Sequence, residues 1–221
     1  NKNIFVENKV LLIFDILMKA IKIIECPRDA MQGIKTFIPT EKKVQYIQSL
    51  LRVGFDTLDF GSFVSPKAIP QMQDTAEVLD QLDLSQTQSK LLAIIANTQG
   101  AEAASKHKAI QYLGFPFSIS ENFQMRNTHK TIAESLIILQ EILEIADKSN
   151  KEVVTYISMG FGNPYGDEYN SDLLLKFTEK LLSFGINDII PSDTIGKADA
   201  ILVKSVFKFL PKGNFGKKRK H

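Results

Sequence analysis

From Ile21 to Gly196 short runs rich in β-branched and aromatic residues alternate with longer amphipathic stretches, and this alternation restricts the fold more than any other feature. Six strands are predicted, in IKIIEC, DTLDFGSF, KLLAIIAN, YLGFPFSIS, EVVTYISMG and NDIIPSDTIG. Between them, PTEKKVQYIQSLLRVG places Val44, Ile47, Leu50 and Leu51 on one helical face, with Thr40 as the predicted N-cap and Gly54 as the stop. TIAESLIILQEILEIADK opens with Thr131 and Glu134 at capping-box spacing, and NSDLLLKFTEKLLSFG ends at Gly185. Apolar strands joined by helices mean parallel β/α units, because a parallel neighbour can be reached only through a long crossover. The class is α/β. Periodicity alone fits both an open doubly wound sheet and a (β/α)8 barrel. No G-x-G-x-x-G follows the first strand, which weakens a dinucleotide-binding reading.

The 221 residues, 44% hydrophobic and 24% charged, suit one globular domain with a real core. Four of the 27 basic residues lie in the closing GKKRKH, which leaves 23 against 25 acidic residues elsewhere. The body therefore is not built to hold a polyanion, and no nucleic acid partner is expected of the fold. Cys26 is the only cysteine, so no internal disulfide can form and a reducing, cytoplasmic setting is expected. The N-terminal apolar run is too short to span a membrane and is interrupted by Asp15, so no membrane partner is expected either. The chain opens with Asn1, and Met18 stands directly before the first strand. Translation is thus expected to start at Met18, with residues 1–17 a non-native extension, 18–216 the domain and 217–221 a basic tail.

Polar residues recur where strands end: Arg28 and Asp29, Asp59 and Ser62, Asn97, Ser118 and Ser120, Ser158, Asp193. A barrel keeps its chemistry at that end. An adjacent Arg and Asp can simply bridge each other at a rim. Functionally, the carboxylate suits a hard divalent cation and the guanidinium suits negative charge developing on a substrate oxygen. Asp59 and Asp193, at two further strand ends, extend this to a carboxylate cluster. His107 and His129 form no metal-ligating pair and are expected at the surface.

PRDAMQ, DFGSFVSPKAIPQM, SMGFGNPYGD and SDTIG, in this order and at these spacings, resemble bacterial-type 3-hydroxy-3-methylglutaryl-CoA lyases, within the DRE-TIM metallolyase superfamily. SFVSPK with PQM is the more specific part, since R-D is shared with synthases that condense acetyl-CoA with 2-oxo acids. The resemblance implies a TIM barrel that cleaves an acyl-CoA substrate with Mg²⁺ or Mn²⁺. Asp29 would ligate the metal and Arg28 would steady the enolate oxygen. Gln32 and Ser62 would line the substrate site, Asp59 would hold Arg28 or move a proton, and Asp193 would act as acid or base near the substrate hydroxyl. Homo-oligomers are compatible with it.

Departures from the family pattern matter too. Ala30 replaces a glycine, which is tolerable only without a positive φ. Ile190 and Pro191 bring a proline into a strand, where it removes a ladder donor. Lys218 and Lys220 stand at the two positions where the family carries histidine ligands. Six strand-to-strand steps of roughly 32 residues leave the barrel incomplete, at about six to seven β/α units, against roughly 250 residues for a whole one. Little lyase activity is therefore expected of this chain. The alternatives are a related condensing enzyme or a non-catalytic remnant that binds an intact subunit.

Overall fold

The computed structural model describes residues 21–210. The expectations for residues 1–17, Met18, Lys218, Lys220 and the basic tail lie outside them.

Among the described residues six strands form one sheet: β1 (Ile24–Glu25), β2 (Thr57–Ser62), β3 (Lys90–Ile94), β4 (Ile110–Ser118), β5 (Glu152–Ser158) and β6 (Asp188–Pro191). Every neighbouring pair is parallel and the spatial order equals the chain order. A doubly wound sheet reverses its order at a switch point. Here no reversal occurs, so the chain winds in one direction as part of a TIM barrel. The helices are α1 (Pro27–Gln32), α2 (Thr40–Val53), α3 (Thr75–Asp80), α4 (Thr98–Ser105), α5 (Glu121–Thr128), α6 (Ile132–Lys148), α7 (Ser171–Ser183) and α8 (Ala200–Phe209).

Strand side chains alternate between the two faces. The outward rows, with Leu58, Phe60, Leu91, Ala93, Leu113, Phe115 and Ile157, pack under the helices with Ile47, Leu51, Leu139 and Leu181 as the main core. The inward rows make a second, smaller cluster of Leu92, Ile94, Tyr112 and Val154, with Val64, Tyr156 and Ile190 against it. Gly114, inward on β4, gives Tyr156 room, since a Cβ there would approach the tyrosine ring to 3.3 Å and Ile94 to 2.6 Å.

Local signals explain most boundaries. The Thr131 hydroxyl accepts from the Glu134 amide at 3.1 Å, and the Glu134 carboxylate accepts from the Thr131 amide at 2.8 Å, completing the capping box. Gly54 takes the left-handed conformation that stops α2. Thr40 is not the cap: Pro39 is, and the Thr40 hydroxyl donates instead to Asp74 at 2.8 Å. Ala30 lies inside right-handed α1, so the glycine it replaces is not needed for a left-handed turn. Pro191 is the last residue of β6, and the ladder resumes when the Ser192 amide donates to the Ile157 carbonyl at 2.9 Å. His129 is exposed, but His107 is half-buried, its ring 5.4 Å from that of Phe63.

Candidate active site at the strand C-termini

Cys26 and Pro27 turn β1 directly into α1, because proline is well suited to the first helical turn, where no intrahelical N–H partner is required. This places Arg28, Asp29 and Gln32 on a single short helix above the sheet. The predicted strand end is thus a helix start. Spacing of three and four residues then lets the three side chains meet. Arg28 Nη1 donates to Asp29 Oδ1 at 3.0 Å and to Gln32 Oε1 at 2.9 Å, and Gln32 Nε2 donates to Asp29 Oδ1 at 2.7 Å.

Across the strand boundary, Arg28 Nη2 donates to Asp59 Oδ2 at 2.6 Å, and Nε lies 3.2 Å from both carboxylate oxygens. Asp59 is completely buried, on an inward row of β2 fixed by a bulge: Asp59 opposes Leu92 and Gly61 opposes Ala93, leaving Phe60 extra. Burial pushes the Asp59 carboxyl up to about 6, against the charge and hydrogen bonds of Arg28, which pull it down. For Arg28 burial opposes the charge, but the Asp59 charge and hydrogen bond, with Asp29 beside them, together raise its pKa and hold the guanidinium protonated. Arginine has five N–H donors. Four are engaged, so a single Nη2–H remains available to an incoming oxygen.

A buried polar latch holds the segment after α1. Gln71, from PQM, accepts the Ile38 amide at 2.8 Å and donates to the Ile34 and Thr36 carbonyls at 2.9 and 3.0 Å. Lys43, itself 2% exposed, donates to Asp74 at 2.6 Å and to the Gln71 carbonyl. The apolar periodicity of α2 gave no sign that its lysine would face inward.

Arg28, Asp29, Gln32 and Asp59 therefore come together, whereas Ser62 and Asp193 have other contacts. Ser62 is buried and its hydroxyl accepts the Val64 amide at 3.2 Å, which shapes the turn after β2. Asp193 is exposed. Its carboxylate accepts the Lys197 and Ala198 amides, both at 2.9 Å, which hold it below the usual carboxylate range. Cys26 lies beside the cluster, and burial with the nearby Asp59 charge pushes its thiol up to about 11, so it stays protonated at neutral pH. The sequence did not single out Tyr156, on the inward row of β5, whose hydroxyl is buried with no hydrogen-bond partner among the described residues. The two-residue strand period contained that signal.

The loops after β4 and β5 are clasped together over the sheet. Asp167 accepts from the Ser120 hydroxyl at 2.5 Å, the Asn122 amide at 3.0 Å and the Asn122 side chain at 2.5 Å. Gly160 permits a further close approach, since a Cβ would come within 2.9 Å of the Ile157 carbonyl and 3.2 Å of the Ser192 amide.

This geometry has close counterparts. The chain is 33% identical over 184 residues to hydroxymethylglutaryl-CoA lyase YngG of Bacillus subtilis (strain 168), covering 83% of this chain and 61% of that one. To the mitochondrial hydroxymethylglutaryl-CoA lyase of Bos taurus it is 35% identical over 179 residues, covering 80% and 54% respectively. The crystal structure of the Bacillus subtilis HMG-CoA lyase superposes with a TM-score of 0.81 at 32% identity, covering 86% of this chain and 63% of that one. That of an Acinetobacter baumannii HMG-CoA lyase in complex with coenzyme A and 3-methylmalate gives 0.78 at 31%, covering 84% and 60%. The chain thus spans 54–63% of the length of these relatives. A family model described as HMGL-like matches residues 20–213, and the chain belongs to the HMGL-like family.

Proposed function

We infer that the site performs carbon–carbon lyase chemistry of the hydroxymethylglutaryl-CoA lyase type, cleaving 3-hydroxy-3-methylglutaryl-CoA to acetoacetate and acetyl-CoA. The observation that carries this reading is the clamped Arg28 with one N–H free. When the bond between C2 and C3 breaks, its electron pair moves into the thioester and leaves an enolate oxygen. The C3 hydroxyl loses its proton and becomes the ketone of acetoacetate, and C2 regains a proton to give acetyl-CoA. A rigid guanidinium aimed at that oxygen is worth more in the transition state, where charge peaks, than in the bound substrate. Asp59 and Gln32 hold the guanidinium in place. Asp193 is our candidate acid or base for the hydroxyl, on condition that its carboxylate leaves the amides of its own loop. Ser62 supports the loop beside the substrate.

The family resemblance implies a divalent cation, Mg²⁺ or Mn²⁺. Asp29 fits it in part: the side chain is 64% exposed and both of its hydrogen bonds fall on Oδ1, which leaves Oδ2 without one among the described residues. Among the described residues no group of three His, Cys, Asp or Glu could hold a metal. They therefore do not constitute a metal centre by themselves, and no step above passes through the ion.

The coenzyme A complex of the Acinetobacter relative supports an acyl-CoA substrate here. Among the described residues no helix is long and apolar enough to cross a membrane. With the lone half-buried thiol, this supports a reducing, aqueous setting such as the cytoplasm. The test is to incubate the full chain with 3-hydroxy-3-methylglutaryl-CoA and Mg²⁺ or Mn²⁺, following acetyl-CoA release and thioester binding by calorimetry. Binding with slow, metal-dependent release is expected, given Lys218 and Lys220 at the family's histidine positions. Absence of both would overturn the reading. Preferential turnover of a 2-oxo acid with acetyl-CoA would replace it with the condensing alternative.

A further inference from the structure

Asp74 is the N-cap residue of α3, yet its carboxylate makes no hydrogen bond to the first turn of that helix. An aspartate in this place usually makes one, and doing without it weakens a helix start. Asp74 reaches across to α2 instead, where Oδ1 accepts from Lys43 Nζ at 2.6 Å and Oδ2 from the Thr40 hydroxyl at 2.8 Å. Lys43 is sealed from water, donating also to the Gln71 carbonyl and lying with its Nζ 4.0 Å from the centroid of the Phe37 ring. An ion pair this dry holds a fold no better than apolar side chains of the same size, because desolvation offsets the attraction. What it adds is direction.

The turn from Gln71 to Thr75 shows where that direction is used, since it grips both segments that carry the Arg28–Asp59 contact. On one side Gln71 pins residues 34–38, the loop that continues from α1, and α1 itself packs on the turn at Pro70–Met72. On the other side the Thr75 hydroxyl donates to the Met72 carbonyl at 2.8 Å and accepts the Ser62 amide at 3.1 Å, just past Asp59 on β2. Gly61 makes the approach possible, because a Cβ there would collide with the Thr75 side chain. Lys43 and Asp74 fasten the middle of this turn to α2. A shift of the turn therefore moves Arg28 relative to Asp59 without touching either.

We propose that Lys43, paired with Asp74, is a positioning residue: it fixes the Gln71–Thr75 turn that sets Arg28 against Asp59, and so aims the remaining Nη2–H of Arg28. The role rests on the lyase reading of Arg28, but the effect on Arg28 is measured without turnover. Lys43 itself meets no reacting atom.

The group to follow is the Arg28 Nε–H, which lies 3.2 Å from both Asp59 oxygens and whose exchange with water is read by nitrogen-15 NMR of the full chain. Arg28→Lys lacks the group and assigns its signal. Lys43→Met keeps the stem but leaves Asp74 buried alone, so it is paired with the double variant Lys43→Met, Asp74→Ser, in which both charges are gone and the serine is free to cap α3. Lys151→Met is the control, a buried lysine untied at the opposite end of the sheet. In the double variant the melting temperature should be unchanged or higher while Arg28 Nε–H exchange quickens about tenfold, and kcat for 3-hydroxy-3-methylglutaryl-CoA should fall about tenfold with KM changed less than about threefold. In Lys151→Met the melting temperature should fall and the exchange should stay as in the native chain. Unchanged Arg28 exchange in the double variant overturns the proposal and leaves the lyase reading intact. Equal quickening in Lys151→Met overturns it too, since Arg28 would then follow overall stability. A native chain that neither binds nor cleaves the thioester overturns the lyase reading, and with it the catalytic role of Lys43, whatever the exchange shows.

Discussion

The two ends of the sheet each bury a cation, and they do so for different ends. At the C-terminal end Arg28 is held by three side chains from two elements, through charge-bearing partners that leave a donor exposed to the interior. At the N-terminal end Lys151, 9% exposed, gives its ammonium to two backbone carbonyls, of His107 at 2.9 Å and Ile110 at 2.6 Å, and burial lowers its pKa. It lies on a cavity of about 410 Å³ with Gln111, Glu152, Asn187 and Asp188. A cavity alone does not make this end the functional site. Convergence of charged groups on one open donor chooses the other end, and in a TIM barrel the N-terminal face is where stability is found. A buried cation bound to carbonyls ties loops together; one bound to carboxylates is also tuned by them.

The largest expected effect breaks the C-terminal site alone. Arg28→Lys keeps the charge but loses the fork that reaches Asp59, Asp29 and Gln32 together, so acetyl-CoA release should fall by about 10²–10³-fold with little change in thermal stability. A steady-state comparison of kcat and KM checks it, and a loss confined to KM would assign Arg28 to ground-state binding.

The next effect sharpens the contrast through pH. The folded Asp59 carboxyl titrates at about 6, above its ordinary 3.8. Between those values the folded chain keeps a proton that the unfolded chain has lost, so this group lowers stability as pH rises through the window and adds nothing further above it. The full span is on the order of 3 kcal/mol. Denaturant melts of the native chain and Asp59→Asn from pH 4 to 7 should therefore diverge, the native chain losing stability relative to the variant. Parallel curves would mean that Arg28 fully neutralises the burial of Asp59.

How much of this could be seen in the sequence depends on the length scale of each cause. Strand and helix alternation, the Thr131–Glu134 box and the Gly54 stop are local, and all were legible. The strand order required parallel registers between distant segments. Of the site, Arg28, Asp29 and Asp59 stood out as polar residues at strand ends and Gln32 through the family resemblance, whereas the helical turn that joins Arg28, Asp29 and Gln32 was not visible, because six residues carry too little periodicity to show it. Ser62 and Asp193 looked similar as strand-end polar residues, yet backbone amides nearby already engage them. Tyr156 was hidden because an inward and an outward tyrosine differ only by a one-residue register, which β-richness does not reveal.

A smaller effect should break the N-terminal end alone. Lys151→Met keeps the stem in place and leaves the His107 and Ile110 carbonyls without their donor, a loss of about 1–3 kcal/mol. Thioester binding should not change, as calorimetry would show. If binding falls with stability, the two ends are coupled through β4 and β5 and the division drawn above fails.

The smallest effect tests whether the C-terminal end has its own structural ties. Asp167 joins the loop after β5 to the start of α5 through Ser120 and Asn122, and the Ser120 hydrogen bond, the largest cause, lowers its pKa. Its contribution is thus fully present above about pH 4 and fades as pH falls below that, since the folded chain gives up its proton more readily than the unfolded chain. The carboxylate is only partly buried, so Asp167→Asn should cost about 1 kcal/mol or less at neutral pH. The loop should nonetheless loosen, and amide exchange at Asn122, which donates to this carboxylate, should quicken while exchange in β4 stays slow. Faster exchange along β4 as well would show that the clasp braces the sheet itself, and the C-terminal end would then owe part of its rigidity to a residue outside the Arg28 cluster.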